Sequence, residues 1–346
     1  MVFMKIGLTY NSLPEKNSRY KTDEFAEFDD ISTILAMKNA IESDGYEVVL
    51  IEANEDAYEK LKNLKPDFVF NIAEGLRGTS RESQIPAMLE MLGIPYSGSN
   101  VLVHAISLDK AKTKEVLDYY GIPTPKFQIF RIENEKLNKD LNFPLFVKPN
   151  AEGSSKGITS KSVVNNEEEL RERVKFIISR YKQPALVEEF LDGREFTVSL
   201  LGNDPPEVLP IVEFKFDSLP NGVPRFDCYE VKWFWDSPKS KVETVICPAK
   251  IDKELEIKIK NIALDTFRIL DCVDFCRIDI RLDKNNMPNV LEINTLPGLI
   301  PDPKENSRFP KACYAAGMSY DQIILSILRA AMKRYNIEIP VKVHVK

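Results

Sequence analysis

Residues 274–298, DFCRIDIRLDKNNMPNVLEINTLPG, carry the densest set of side chains able to hold a charged reactant. The stretch reads as two strands joined by a polar turn at 283–288, where Asn and Pro supply the turn chemistry. Strand side chains alternate, so Phe275, Arg277, Asp279 and Arg281 share one face, and Cys276, Ile278, Ile280 and Leu282 the other. On the return strand Leu291 and Ile293 are expected on the apolar side, which leaves Glu292 and Asn294 with the polar set. A hairpin centred between Asn285 and Asn286 places Asp279 opposite Glu292 and Arg277 opposite Asn294. Two carboxylates and an amide oxygen then converge beside a guanidinium. Like charges opposed across a ladder repel unless a cation lies between them. Oxygen donors without His or Cys suit Mg²⁺ or Mn²⁺, and Mg²⁺ usually accompanies phosphate. The same pattern also reads as a two-faced hairpin with a solvated polar side whose charges pair with Arg277 and Arg281.

A second candidate follows the strand FPLFVK at 143–148: the small, polar loop PNAEGSSKG, bounded by Gly153 and Gly157. Such loops can wrap backbone N–H groups around phosphate, with Lys148 as a point charge at the start. It lacks the GxxxxGK[ST] spacing of a Walker A motif and reads equally as a flexible hairpin loop. The aromatic segment FDCYEVKWFW at 226–235, with Lys232 interleaved, could stack a base or close a core edge. Lys110, Lys112 and Lys114 have the spacing of a wet helix face, which assigns no role to any of them. The acidic cluster Asp23, Glu24, Glu27, Asp29 and Asp30 is either substrate-facing, or solvated, or an anionic first helical turn.

The elements that must position these groups alternate in the first hundred residues. Strands are expected at 5–9, 47–51 and 66–71, with helices between them and near 82–92, which implies an α/β, doubly wound parallel sheet. Ligands in such sheets sit beyond the carboxyl ends of strands, at the loops after Thr9, after Asn71 and at 97–100. Further on the pattern predicts a helix from 107 to 120 and strands at 143–148, 158–162, 185–191, 194–201, 207–214 and 243–247. It adds amphipathic helices at 167–179, after Asp252 and at 320–334, so the C-terminal half is α+β.

The chain has 346 residues, 47 basic against 53 acidic, for a net charge of −6. That balance gives no reason to expect nucleic acid or an anionic membrane as partner, and no apolar run approaches the ~20 residues of a membrane span. Five cysteines without CxxC spacing fit small buried hydrophobes in a reducing cytoplasm. Only His104 and His344 are present, which disfavours a Ser-His-Asp triad or a His-rich metal site.

Together the segments GIPYSGSN (93–100), LDKAKTK (108–114), GIPTP (121–125), FPLFVKPNAEGSSKG (143–157), LVEEFLDGREFTVSLLG (186–202), RIDI (277–280), LEINTLPG (291–298) and PKACYAAGMSY (310–320) resemble the ATP-grasp superfamily. The closest resemblance within it is to the D-alanine–D-alanine ligases. It implies an ATP-grasp fold with an N-terminal doubly wound domain at 1–104, a central subdomain at 105–185 and a C-terminal domain at 186–346. It implies ATP, with Lys110 and Lys148 on its phosphates and Gly153, Ser154 and Ser155 in the loop that closes over them. Glu188 and Leu191 would meet the adenine edge and Glu195 the ribose; Phe226 would pack on the base and Lys232 reach the phosphates. Asp279, Glu292 and Asn294 would hold two Mg²⁺ (or Mn²⁺) ions. Arg277 would stabilise the oxyanion of a tetrahedral intermediate, with Ser155 and Gly298 in the same catalytic set. The implied activity joins two small amino acids through an acyl phosphate, D-alanine by default; the alternatives are a ligase for other acids and an ATP-binding protein that has lost catalysis. Members of the family are commonly homodimers.

This chain departs from the family pattern where substrate is expected. It has NIAEG at 71–75 in place of a His-Gly loop, and Trp233 in place of a tyrosine. The glutamate of the first loop has no close match: Glu15, in SLPEKNS, is a candidate, but the motif around it differs and a long insertion at 16–30 follows it. In the last loop Ser307 matches a substrate-carboxylate contact, and Arg308 replaces an apolar neighbour.

Overall fold

The computed structural model describes residues 4–14, 23–236, 240 and 242–338. Its first layer alternates as expected: β1 (Lys5–Tyr10), α1 (Ile31–Glu42), β2 (Glu47–Glu52), α2 (Ala57–Leu64), β3 (Phe68–Asn71) and α3 (Gln84–Leu92). The three strands are parallel in the order β2-β1-β3. Burial on both faces explains why β3 is apolar up to its last residue.

The expected helix at 107–120 is two helices, α4 (Val101–Leu108) and α5 (Lys110–Tyr119). Asp109 between them is extended, and its carboxylate caps α5 by accepting from the Lys112 N–H. The wet-face reading is corrected: within α5 Lys110 and Lys114 share a buried face, and of the three only Lys112 is exposed.

A central antiparallel sheet follows, in the order β4-β7-β5-β6, from β4 (Phe127–Phe130), β5 (Leu145–Pro149), β6 (Val163–Val164) and β7 (Ala185–Glu189). The helix α6 (Glu167–Tyr181) backs it with Leu170, Val174 and Ile177. The strand expected at 158–162 is instead loop and a single tight turn at Ser160–Ser162, because Thr159 and Ser162 form a reciprocal capping box there.

The C-terminal sheet has the order β11-β10-β8-β12-β13, with β9 beside β8. Its strands are β8 (Glu195–Leu201), β9 (Glu207–Val208), β10 (Val212–Phe214), β11 (Val245–Ile246), β12 (Phe275–Leu282) and β13 (Pro288–Asn294). The expected strand at 207–214 is split around Pro210, which cannot donate to the ladder, and the one at 243–247 keeps only its middle. The helices are α7 (Lys253–Ile269), α8 (Arg308–Ala315) and α9 (Tyr320–Arg334). Cys276, Ile278 and Ile280 of β12 pack on Ile259, Ala263 and Phe267 of α7. A separate core joins Ile323, Ile327 and Met332 of α9 to Ile34 of α1 and Phe68 of β3. The boundaries expected at 104/105 and 185/186 fall inside α4 and at the first bond of β7. Among the described residues no helix is long and apolar enough to cross a membrane.

Candidate active site

The β12–β13 ladder has the register expected from the turn: Arg277 faces Asn294 and Asp279 faces Glu292. Between Asp279 and Ile280 the register shifts by a bulge, so that Val290 pairs with Ile280 and Leu291 is the extra residue. This corrects the placing of Leu291 on the apolar side: it is only partly buried and lines a pocket beside Glu292. Nothing in the alternation of the sequence announces an extra residue.

Two cavities meet at the polar face of this hairpin. The first, about 710 Å³, lies between the central and C-terminal sheets and takes in Lys148, Ser155, Glu188, Leu191, Glu195, Phe226, Asp279 and Glu292. The second, about 1420 Å³, takes in Lys110, Ser154, Lys232, Trp233, Arg277, Asn294, Gly298, Ser307 and Arg308. Gly153 lines both. Asp279 and Glu292 thus look toward one cavity, and their ladder neighbours Arg277 and Asn294 toward the other. Every sequence-predicted site residue lines one of the two cavities except Glu15, which lies outside the described residues.

The charges are tightly interlocked. Asp279 accepts from Arg277 Nη2 at 2.9 Å, Asn294 Nδ2 at 3.0 Å and Thr197 Oγ1 at 2.6 Å. Lys110 Nζ is 3.4 Å from Glu292. Burial works against the Glu292 charge, but Lys110, Lys148, Arg277 and Lys232 outweigh it and bring its pKa down to about 2. Burial likewise opposes the charge on Arg277, and Asp279 and Glu292 raise its pKa nonetheless. Two carboxylates and an amide, with no thiol or imidazole among them, suit a hard divalent ion. The positive groups already drawn to both carboxylates show that the face attracts cations.

At the other end of the first cavity, Glu188 bridges Lys148 at 2.7 Å and Lys114 at 2.9 Å. Lys114 also donates to Thr124 Oγ1, which donates in turn to the carbonyl of Val290, so one lysine ties α5, β7 and the hairpin. Burial lowers the Lys114 pKa to about 8 against the pull of Glu188. Glu195 is paired with Arg281 at 2.7 Å; burial pushes it up to about 7, with Arg281 acting against the rise. Phe146, Phe190 and Phe226 form an aromatic cluster, its rings 5.2–6.1 Å apart, beside these charges.

The loop at 149–157 is not loose. Gly153 N donates to Glu27 Oε1 at 2.6 Å and Gly157 N to Asp23 Oδ2 at 3.2 Å. Glu27 also accepts from Arg81 Nη2 at 2.6 and 2.9 Å, and Tyr181 donates to Asp23. The acidic cluster therefore divides: Glu24 and Asp30 are exposed, with Asp30 at the N-cap of α1, whereas Asp23 and Glu27 clasp the glycine-rich loop. Neither residue was assigned a partner from sequence, because spacing along the chain does not show a contact made across more than a hundred residues. Asp227, which lines both cavities, and Glu74 and Arg81 of the loop after β3 were missed for the same reason. The loop at 97–100 lines neither cavity. Ser97 accepts from the Asn71 N–H and Gly98 N donates to Asp274, so it braces the strand ends instead.

A cleft between two antiparallel sheets, floored by a two-carboxylate hairpin and roofed by a glycine-rich loop, defines an ATP-dependent ligase of the ATP-grasp class. The comparisons with known proteins agree. A family described as D-ala D-ala ligase C-terminus matches residues 116–329. An uncharacterised protein of Sinorhizobium fredii, y4sG, is 39% identical over 86% of each chain. A D-alanine–D-alanine ligase of Pelotomaculum thermopropionicum is 33% identical over 87% of this chain and 92% of its own. A crystal structure of the D-alanine–D-alanine ligase of Bacillus anthracis with ATP superimposes at a TM-score of 0.72, 26% identical, over 96% of this chain and 99% of that one. The chain belongs to the D-alanine–D-alanine ligase family.

Proposed function

We propose that the protein joins two small amino acids, with D-alanine as the reference substrate, at the expense of ATP. The observation that carries this is the meeting of the two cavities on one hairpin face, because phosphoryl transfer needs nucleotide and acceptor on either side of the same charges. In this reading Lys148, Glu188, Leu191, Glu195 and Phe226 bind the nucleotide. Lys110, Lys232 and the N–H groups of Gly153, Ser154 and Ser155 hold its phosphates. Asp279, Glu292 and Asn294 would hold two magnesium ions, which when bound would supply positive charge to the transferring phosphoryl group. The three-part division of the chain, a cytoplasmic location and a homodimer belong to the same reading.

A carboxylate is a poor electrophile until its oxygen has taken the γ-phosphoryl group. Arg277, poised beside Asp279, neutralises the substrate carboxylate and then the oxyanion that forms when the second amino acid's amine attacks; the C–O bond to phosphate then breaks, and inorganic phosphate leaves as the amide forms. Gly298, whose carbonyl accepts from Ser307 at 2.7 Å, presents its backbone to the same oxyanion. The clasped loop keeps water from the acyl phosphate, which would otherwise hydrolyse. ADP release by purified protein will depend on added amino acid and Mg²⁺, and will stop with a chelator. Equal ATP turnover with and without a broad amino-acid panel would refute the assignment.

Lys232 gives this reading a pH signature. Burial, together with Arg277 and Arg308, brings its pKa down to about 8 against the attraction of Asp227. The KM for ATP is therefore expected to rise as pH passes 8 and Lys232 loses its charge. Lys232→Arg should flatten that rise, and a profile identical in both enzymes would exclude Lys232 from the phosphates.

Ligation of other acids is the second reading. Glu74 and Arg308, which stand where the family pattern has a histidine and an apolar residue, both line the second cavity and favour it.

A further inference from the structure

We propose that Glu74 is the ammonium-binding residue of the second cavity, receiving a primary amine of the amino acid whose carboxylate is phosphorylated. The proposal rests on the ligase reading and names the substrate chemistry of that site.

Glu74 is presented by a fixed backbone at the carboxyl end of β3. Asn71 Oδ1 accepts from Thr9 Oγ1 at 2.8 Å and from the Ala73 N–H at 3.2 Å, and Gly75 N donates to Asn11 Oδ1 at 2.9 Å. Gly75 has φ +79°, and a Cβ there would lie 2.4 Å from the carbonyl oxygen of Arg81. The loop therefore has one course, and it directs Glu74 into the cavity. Among the described residues the Glu74 carboxylate has no hydrogen-bond or ion-pair partner. Arg81, the cation that acts on it among the described residues, is taken by Glu27 at 2.6 Å, Glu152 at 3.3 Å and the carbonyl of Ala151 at 3.0 Å. Glu82 and Asp29 line the same wall, so that wall carries more negative charge than its guanidinium balances.

The same cavity's cations, Arg277, Lys232 and Arg308, are grouped elsewhere in its lining, with Asp227 and Asp236 among them. Arg308 is an independent sign that the cavity awaits a ligand. It is 7% exposed, anchored through Nη1 to Asp236 at 2.5 Å and to the carbonyl of Asn306 at 2.7 Å. Its Nη2 has no hydrogen-bond partner, and Asp227 is 3.9 Å away. A cavity with an anionic wall and a separate group of cations takes a dipolar occupant. The carboxylate to be phosphorylated belongs beside Arg277, which leaves the amine for the Glu74 wall. That amine is either the α-ammonium or a second amine in the side chain.

Trapping the acyl phosphate with hydroxylamine reads the donor site without the second amino acid. Wild type and Glu74→Gln would be compared with ATP and a panel of donors: alanine of either hand, 2,3-diaminopropionate, lysine, and lactate as the acid without an amine. Removing one charge-assisted contact should raise the KM of amine-bearing donors roughly tenfold to a hundredfold, with kcat, the KM for ATP and the KM for lactate little changed. A rise confined to the diamino acids assigns the side-chain amine, and a rise that includes alanine assigns the α-ammonium. An unchanged KM for every amine-bearing donor, or an equal rise for lactate, overturns the proposal while the ligase reading stands. If no donor supports ADP release or trapping by the wild-type protein, the ligase reading fails and this inference with it.

Discussion

Glu292→Gln will release ADP roughly 10²–10³-fold more slowly than the wild type at saturating amino acid and nucleotide. Glu292 is the carboxylate on which four cations converge, and its low pKa of about 2 is the electrostatic imprint of that convergence. Glutamine keeps the shape and the strand but removes the charge that pairs with Lys110 and would hold the proposed metal, so secondary structure should be unaltered while turnover falls. The same substitution has a stability signature. A carboxylate depressed from 4.5 to about 2 contributes stability that is present above pH ~4.5 and is lost as pH falls toward 2. The wild type should therefore lose stability through that acid window, and the variant should lose less of it. Both arms are read by steady-state ADP assay and by thermal melting between pH 2 and 7. Turnover within threefold of wild type would remove Glu292 from the metal site.

Glu27→Ala is expected to act on the glycine-rich loop rather than on the chemistry. Glu27 sits with only 4% of its side chain exposed between Arg81, Lys156 and the Gly153 N–H. Its removal leaves two buried cations with less opposing charge, and breaking such a pair typically costs ~3–5 kcal/mol. The loop also loses the acceptor that fixes its first glycine, so the KM for ATP should rise at least tenfold. ATP should then be split without ligation, because water reaches the acyl phosphate when the roof opens. Glu27→Gln keeps an acceptor for Gly153 and should recover much of the nucleotide affinity but not the melting temperature. Gly153→Ala tests the contact from the other side, since a Cβ there would lie 2.7 Å from Glu27 Oε1. A normal KM for ATP in both Glu27→Ala and Gly153→Ala would show that the clasp is structural only.

The hairpin was legible because strand geometry is local: a period of two and a turn centre fix which residues face which. Asp279 opposite Glu292 needed no tertiary knowledge, and the bulge at Leu291 lay outside the reach of the same rule. Lys110 and Lys114 show where periodicity misleads. At i, i+4 spacing they share one face of α5, which does not say whether that face is wet; it packs inward, onto Glu292 and Glu188. Glu27 was visible only as one acidic residue among five, since its partners Arg81 and Gly153 come from distant parts of the chain. NIAEG stood out as a departure from the family pattern, but that Glu74 lacks a partner among the described residues can be seen only once Arg81 is found committed elsewhere.

The core shared by the first and last elements bears on how the chain is made. Tyr46 reaches Met332 with its hydroxyl 3.7 Å from the sulfur, and Asp44 pairs with Arg329 at 2.7 Å. The parallel sheet leaves the ribosome well before α9, the helix that covers its apolar neighbours. Contacts of that sequence separation form late and slowly. During synthesis the first layer must wait with Ile34 and Phe68 uncovered, which makes it the segment most in need of a chaperone.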